Sequence, residues 1–527
     1  MASRPSDTPD SDPSGTVDDG GVPRARVWFW GLLLLGLCLR SLDLFDPWSG
    51  EGFKSAFGTF TTGLFARNFA QYGLFESGGM PYYWRVELAD GELLRGWYTH
   101  HPALQMIVTG ATLKLFGVTE WATRLPFLLA SIAAMFPLHA LVRDAFGARA
   151  ALIGHAAYAV LPLAAWYGDL PYADSVVIAM FAVAARHHLA WIRTGARGHV
   201  LWASVAIFVG GLMDWPIAFV LPGFGLHAAW LAWQRRGLGP LLVQVAYATA
   251  LGAAIVLHRL HMQLVLPPSA VESEAESTLD WVTTLPVPLF EFIVGQLRHC
   301  ERYLTWPGGI LIVLASLALL RARAADGATK AVMFSLALAG PIYIGLFPAR
   351  SWNHDFFIYM SLPFIAGAIG FVVDGALCSR ASILAKGLVL PLALALVPFS
   401  GLRLAELLER NSSDLVAQVV AQPWCAELLG DERAIVLIPT GRGMHLPFYA
   451  RAAMVLEVDR PAQVDAWVRR IETDIEPDRR VVLLLDATSA VAFPALRAHL
   501  LENVAPTLHD EVEGLEFGLF DLRAWRD

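Results

Sequence analysis

The chain has 527 residues, of which 56% are hydrophobic and only 16% charged, with a mean hydropathy of +0.49. Soluble domains are about 45–50% apolar and about 25% charged, so this composition excludes an ordinary soluble protein and points to a bilayer as solvent. The net charge of -8, without any Lys/Arg-rich run, excludes nucleic acid as a partner.

Residues 1–25 are rich in Ser, Asp, Pro and Gly, the composition of a disordered tail, and contain no early apolar core that would mark a cleavable signal. The apolar run Val27 to Leu39 follows Arg24 and Arg26 and reads as an uncleaved first span with its N-terminus in the cytoplasm. A span needs about 20 mostly apolar residues. The pattern predicts about eleven: 26–44, 121–143, 148–166, 172–193, 199–213, 215–234, 240–261, 305–321, 329–347, 355–375 and 383–400. The fold class expected is therefore mainly α, a polytopic helical membrane protein.

A further apolar stretch, 102–117, is ambiguous, and charge decides its reading. Left uncounted, it places Arg143, Arg149, Arg193, Arg197, Arg235, Arg236, Arg321, Arg323, Lys330 and Arg380 in one set of connections. The opposite short turns, around Asp169 and Asp214, hold no Lys or Arg. By the positive-inside rule the Arg-rich set is cytoplasmic, and 102–117 is read as an interfacial or re-entrant helix. The transmembrane domain then covers 26–400. Its first outer loop, 45–120, shares the outer face with the loop 262–304 and with everything after 400.

The tail 401–527 alternates short β-branched runs (Ala434 to Ile438, Met454 to Val458, Val481 to Leu485) with helical stretches, the pattern of a small α/β extracytoplasmic domain. No catalytic constellation is visible in it. Four scattered cysteines (Cys38, Cys300, Cys378 and Cys425) show neither metal spacing nor a disulfide framework.

Chemistry concentrates in the outer connections. The first loop carries Asp46, Glu51 and Lys54, then Arg67 and Asn68, then Tyr98-Thr99-His100-His101-Pro102. Asp169 and Asp174 follow the third span, and Arg350, His354 and Asp355 precede the tenth. Ionisable groups at headgroup depth are functional candidates. Each also has a plain structural reading: Asp46 as a solvated loop charge, Asp174 as a helix N-cap, Arg67 as a brace to Glu51 or Asp46, Arg350 as an interfacial anchor.

Taken in order, the string of Glu51-Gly-Phe, Ala66-Arg-Asn-x(4)-Tyr72-Gly73, Tyr98-Thr-His-His-Pro102, Lys114-Leu-Phe-Gly117, Glu120-Trp-Ala-x-Arg124-Leu-Pro126 and Ala145-Phe-Gly147 resembles the bacterial membrane glycosyltransferases of the GT-C superfamily. Relatives there include the protein O-mannosyltransferases and the lipid A aminoarabinose transferases. The resemblance covers about residues 27–375. It implies transfer of a sugar from a polyprenyl-phosphate donor to a cell-envelope acceptor (glycan, lipid or protein) on the outer face of a bacterial inner membrane, with membrane lipids as the surroundings. It assigns the catalytic acids to Glu51, where many relatives have Asp, and to Asp174. Some relatives carry an Asp a few residues ahead of the Ala-Arg-Asn stretch, where this chain has Thr61. Lys54, Arg67, His100, His101, Arg350 and His354 are the candidates for binding the leaving phosphate. No cofactor is assigned. A divalent metal shared by Glu51 and Asp174 stays open, because no Asp-x-Asp pair accompanies them. The alternative reading is a transporter or flippase of lipid-linked sugars, against which stands the absence of a repeat between the two halves.

Overall fold

A computed structural model describes residues 22–47, 54, 58, 61–87, 93–172, 174–235, 237–268, 285–322, 325–378, 382–410, 415–431, 434–439, 446–450, 454–458, 464, 480–486, 508–512 and 515–521. Among them eight helices are long and apolar enough to cross a membrane: Glu120–Phe146, Asp174–Thr194, Trp215–Gln234, Gly239–Val265, Leu289–Arg321, Gly327–Leu346, Phe357–Leu377 and Ile383–Glu409. The chain is a multi-pass membrane protein. The other three expected spans are helical but shorter or broken: Val22–Arg40, Arg197–Met213, and Ala148–Val160 continued by Pro162–Trp166.

That break has a local cause and a remote remedy. Pro162 has no N–H, so the helical carbonyl four residues back, Tyr158, loses its donor. In a membrane such a group is costly to leave bare. Arg40, fully buried at the end of the first helix, supplies the donor from Nη2 to Tyr158 O at 3.0 Å and from Nη1 to Ala159 O at 3.4 Å. Its Nε donates to Ser131 Oγ at 2.8 Å. Gly168 lets this arginine in, since a Cβ there would stand 2.6 Å from Arg40 Cδ.

Residues Leu104–Phe116 form a 13-residue helix, roughly 20 Å long at 1.5 Å per residue and too short for a hydrocarbon core of about 30 Å. Its inner face (Gln105, Met106, Thr109, Gly110 and Leu113) is buried, and the helix packs against Thr62–Tyr72. Val108, Leu115 and Phe116 remain exposed. Gly110 permits the approach: a Cβ would meet Phe69 Cβ at 3.0 Å. The helix Leu289–Arg321 kinks at Thr305, whose φ of 63° is left-handed, two residues before Pro307.

The expected tail boundary at 401 falls inside the helix Ile383–Arg410, which runs unbroken past it. Beyond it lies a five-stranded mixed sheet. Strands β3 (Ala434–Pro439), β4 (Met454–Val458) and β5 (Arg480–Asp486) pair in parallel; β7 (Leu515–Asp521) pairs antiparallel with β5, and β6 (Leu508–Val512) antiparallel with β7, so the order is β4-β3-β5-β7-β6. Ile435, Val436, Leu437, Val482 and Leu483 are fully buried although neighbours point to opposite faces, which is why the parallel strands read as continuous apolar runs. The sheet domain is tied to the rest by Tyr449 OH, which donates to Glu120 Oε1 at 2.8 Å. In the first loop, β1 (Tyr82–Glu87) and β2 (Leu93–Trp97) form an antiparallel pair.

Candidate active site

The connector from Trp166 to Asp174 is buried along its described length and distributes its polar side chains to three clusters. At its start, Lys54 Nζ lies 4.5 Å from the Trp166 ring centroid, 2.6 Å from Asp43 Oδ2 and 2.6 Å from Asp169 Oδ1. All three charged groups are at most 5% exposed. Arg124 donates to the backbone carbonyl of Asp43. Burial, and after it Asp43, push the Asp169 carboxyl above the usual carboxylate range, against the pull of Lys54 and Arg124.

Next along the connector, the Tyr167 hydroxyl bonds Asp355 and lies 2.8 Å from Tyr303 OH, which also donates to Asp355. Arg302 Nη1 reaches the same carboxylate at 3.2 Å.

The third cluster is the largest. Pro102 biases His101 towards an extended backbone, and the 99–101 segment is gripped from two other elements. Trp215 Nε1 donates to His100 O at 2.7 Å, and His258 Nε2 lies 3.3 Å from Thr99 O. His101 Nδ1 lies 2.7 Å from Asp214 Oδ1. The His101 ring stacks on Tyr98 (5.9 Å, 20°) and meets Tyr172 edge-on (5.7 Å). Asp174, 3% exposed, opens the helix Asp174–Thr194 within electrostatic reach of Asp214, and neither of its carboxylate oxygens accepts from a described residue. Within electrostatic reach of His101 lies His354, stacked on Phe357 (5.8 Å, 25°), with Phe357 itself stacked on Tyr343 (4.0 Å, 6°).

Charge states follow from this crowding. Burial first, then His101 and Arg350, lower the His100 imidazole to about 4. Burial, then Arg350 and His101, lower His354 to about 3. Both rings are neutral near pH 7, so they offer hydrogen bonds and no charge. Burial and Asp214 keep the Tyr172 hydroxyl well above its ordinary range, and hence protonated. The arrangement brings one guanidinium, three imidazoles, two buried carboxylates and several phenols within contact or electrostatic reach of one another. Such a set can bind an anion on one side and take a proton on the other.

Residues 100–259 match the family described as dolichyl-phosphate-mannose-protein mannosyltransferase. The fold is similar to that of ArnT from Cupriavidus metallidurans in the apo state, with a TM-score of 0.62 at 14% identity over 95% of this chain and 98% of that one. It is similar to the same protein bound to undecaprenyl phosphate, with a TM-score of 0.59 at 15% identity and the same shares of each chain. The oligosaccharyltransferase of Archaeoglobus fulgidus in the apo form gives 0.52 at 13% identity, over 88% of this chain and 70% of that one. No curated protein sequence matches. The chain shares the fold of these solved proteins, and its residues 100–259 carry the match to the mannosyltransferase family.

Within this fold the residues singled out from the sequence separate. His100, His101, Asp174, Arg350 and His354 come together in the third cluster. Lys54 stands apart in the first, its charge held between two carboxylates. Arg67 is buried elsewhere: Nη1 donates to Ala450 O at 2.7 Å and Nη2 to Asn68 Oδ1 at 2.6 Å, so it braces the first loop against the sheet domain. Glu51 lies outside the described residues. Among the described residues no group of three or more His, Cys, Asp or Glu is arranged to hold a metal.

Sequence reasoning passed over Asp214 as a site residue, reading its turn only as free of Lys and Arg. A local signal exists: Asp214-Trp215-Pro216 is a helix N-cap followed by proline, and Asp214 Oδ1 accepts from Trp215 N at 2.7 Å. That signal predicts a cap and says nothing of a histidine 113 residues earlier in the chain. The Asp43–Lys54–Asp169 group was missed for the same reason.

Proposed function

We propose that this enzyme transfers a sugar from a polyprenyl-phosphate carrier to a hydroxyl of a cell-envelope acceptor, with inversion at the anomeric carbon, on the outer face of a bacterial inner membrane. The observation that carries the reading is the third cluster, where Arg350 and the imidazoles adjoin the buried carboxylate of Asp174, which accepts from none of the described residues. The short helix Leu104–Phe116 begins three residues after His101 and exposes Val108, Leu115 and Phe116, an apolar wall suited to a prenyl chain. The similarity to a protein whose structure holds undecaprenyl phosphate supports the same donor class.

In this reaction the acceptor oxygen attacks the anomeric carbon, the bond from that carbon to the phosphate oxygen breaks, and its electron pair leaves with the phosphate. The acceptor proton passes to a carboxylate, Glu51 by the resemblance or Asp174 by its geometry. The phosphate is already a good leaving group and needs no acid. Its growing charge is met by Arg350, with His101 and the neutral His100 and His354 as hydrogen-bonding partners. The Arg-rich connections at the other end support a cytoplasmic N-terminus and an outer sheet domain.

Purified wild type, Glu51→Gln and Asp174→Asn should be compared for transfer from a mixed polyprenyl-phosphate-sugar pool, with donor binding measured separately. The true base should show a loss of about a hundredfold or more with donor binding retained. Full activity in both variants would remove the proposed chemistry. Absence of transfer by folded wild type, across acceptors drawn from cell-envelope extract, would overturn the reaction itself.

A further inference from the structure

We infer that Asp214 is a positioning residue that aims His101 at the donor phosphate, an inference that rests on the proposed reaction and names a new part of it. Asp214 is fully buried in the turn between the helices Arg197–Met213 and Leu221–Arg235. One of its oxygens, Oδ1, takes two bonds: from Trp215 N at 2.7 Å, and from His101 Nδ1 at 2.7 Å. The next residue, Trp215, holds the adjoining peptide by donating to His100 O at 2.7 Å. Two consecutive residues of one turn therefore fix both the main chain and the ring at positions 100–101.

A carboxylate oxygen is acceptor-only, so the bond makes Nδ1 the protonated nitrogen and sets the tautomer. Imidazole geometry then turns Nε2 to the far side of the ring from Asp214. Tyr98 beneath the ring and Tyr172 at its edge leave little freedom to rotate. His101 remains about a fifth exposed, whereas Asp214 is sealed from solvent. Asp214 therefore acts on the ligand only through His101.

The two hydrogen bonds accepted by Oδ1 make the inference separable from capping. In Asp214→Ser the hydroxyl still serves as a favoured N-cap but is one bond too short to reach His101. In Asp214→Asn the amide oxygen is held in place by Trp215 N–H and can keep both bonds. The test is transfer from undecaprenyl-phosphate sugar, and separately binding of undecaprenyl phosphate, by the full-length protein carrying each variant in wild-type and His101→Ala backgrounds. Asp214→Ser should lower kcat/KM and phosphate affinity about 10- to 100-fold, and Asp214→Asn by less than about threefold. In the His101→Ala background Asp214→Ser should add less than about twofold. Equal losses in both backgrounds, or wild-type behaviour of Asp214→Ser, would overturn the assignment. If Asp214→Ser does not fold, Asp214→Glu, which displaces the carboxylate by a methylene, enters the same cycle with the same expectation. Failure of wild type to transfer sugar would sink the reaction, and the binding cycle alone would then decide the role of Asp214.

Discussion

The two ends of the helical bundle use the same residue types under opposite conditions. At the end away from the first loop, Arg143 and Arg186 pair with Asp144 (3.4 and 2.7 Å), Arg193 with Asp326 (3.0 Å), and Arg149 with Asp374. Those side chains are between 22% and 56% exposed, and water shares the charge. At the loop end Asp43, Lys54, Asp169, Asp174 and Asp214 are almost sealed, and Asp174 has no described donor. Exposed pairs gain little and serve orientation. Buried, incompletely bonded carboxylates cost stability and persist where a ligand completes them. The difference makes the loop end the candidate for chemistry without any reference to relatives.

The largest expected effect tests that contrast in the Lys54 group. Replacing Lys54 by Met removes the cation shared by Asp43 and Asp169 and leaves two buried carboxylates facing each other. Breaking a buried pair in this way costs about 3–5 kcal/mol. Thermal unfolding in detergent should show a large drop in Tm, partly relieved by Lys54→Met combined with Asp169→Asn. A Tm within a degree or two of wild type would mean that the group is wetter than its burial indicates.

Acidification probes the third cluster. His100 and His354 titrate at about 4 and about 3 in the folded protein, against 6.5 when unperturbed. Between those values the unfolded chain binds more protons than the folded one, so these groups contribute stability that is fully present above about pH 6.5 and is lost as pH falls towards 4 and 3. Asp169, whose carboxyl is raised, works in the opposite direction as pH falls. Unfolding midpoints measured from pH 7 to 4 should therefore fall, and His354→Gln should flatten the curve. An unchanged slope in His354→Gln would place that ring in water.

How much of this was legible from sequence depends on whether the signal is local. Spans are local: a run such as Phe357–Leu377 announces itself by composition. The short helix Leu104–Phe116 could be read as non-spanning because charge bookkeeping fixed its neighbours. The site was only half legible. His101 and Asp174 stand out as polar residues beside apolar runs, and the family-like order of motifs drew attention to them. Their partners did not: Asp214 resembles any N-cap, and Lys54 resembles a loop cation until Asp43 and Asp169 close on it. Arg40 was invisible as the remedy for Pro162, because that pairing joins residues more than a hundred positions apart.

The smallest effect is the control that makes the comparison meaningful. Arg149 and Asp374 form an ion pair with side chains 56% and 22% exposed, and Arg149 also lies 3.3 Å from Cys378 Sγ. Judged by distance alone it resembles the Lys54 group. Judged by solvation it differs, because water screens the charges and recovers whichever partner is left. Arg149→Gln should therefore shift stability by less than about 1 kcal/mol and leave sugar transfer unchanged. Raising salt should narrow even that difference, while the Lys54→Met deficit should persist, since ions do not reach a sealed pair. Should Arg149→Gln prove as costly as Lys54→Met, contact distance would outweigh burial in this bundle. The contrast between its two ends would then have to be sought in what their side chains bind.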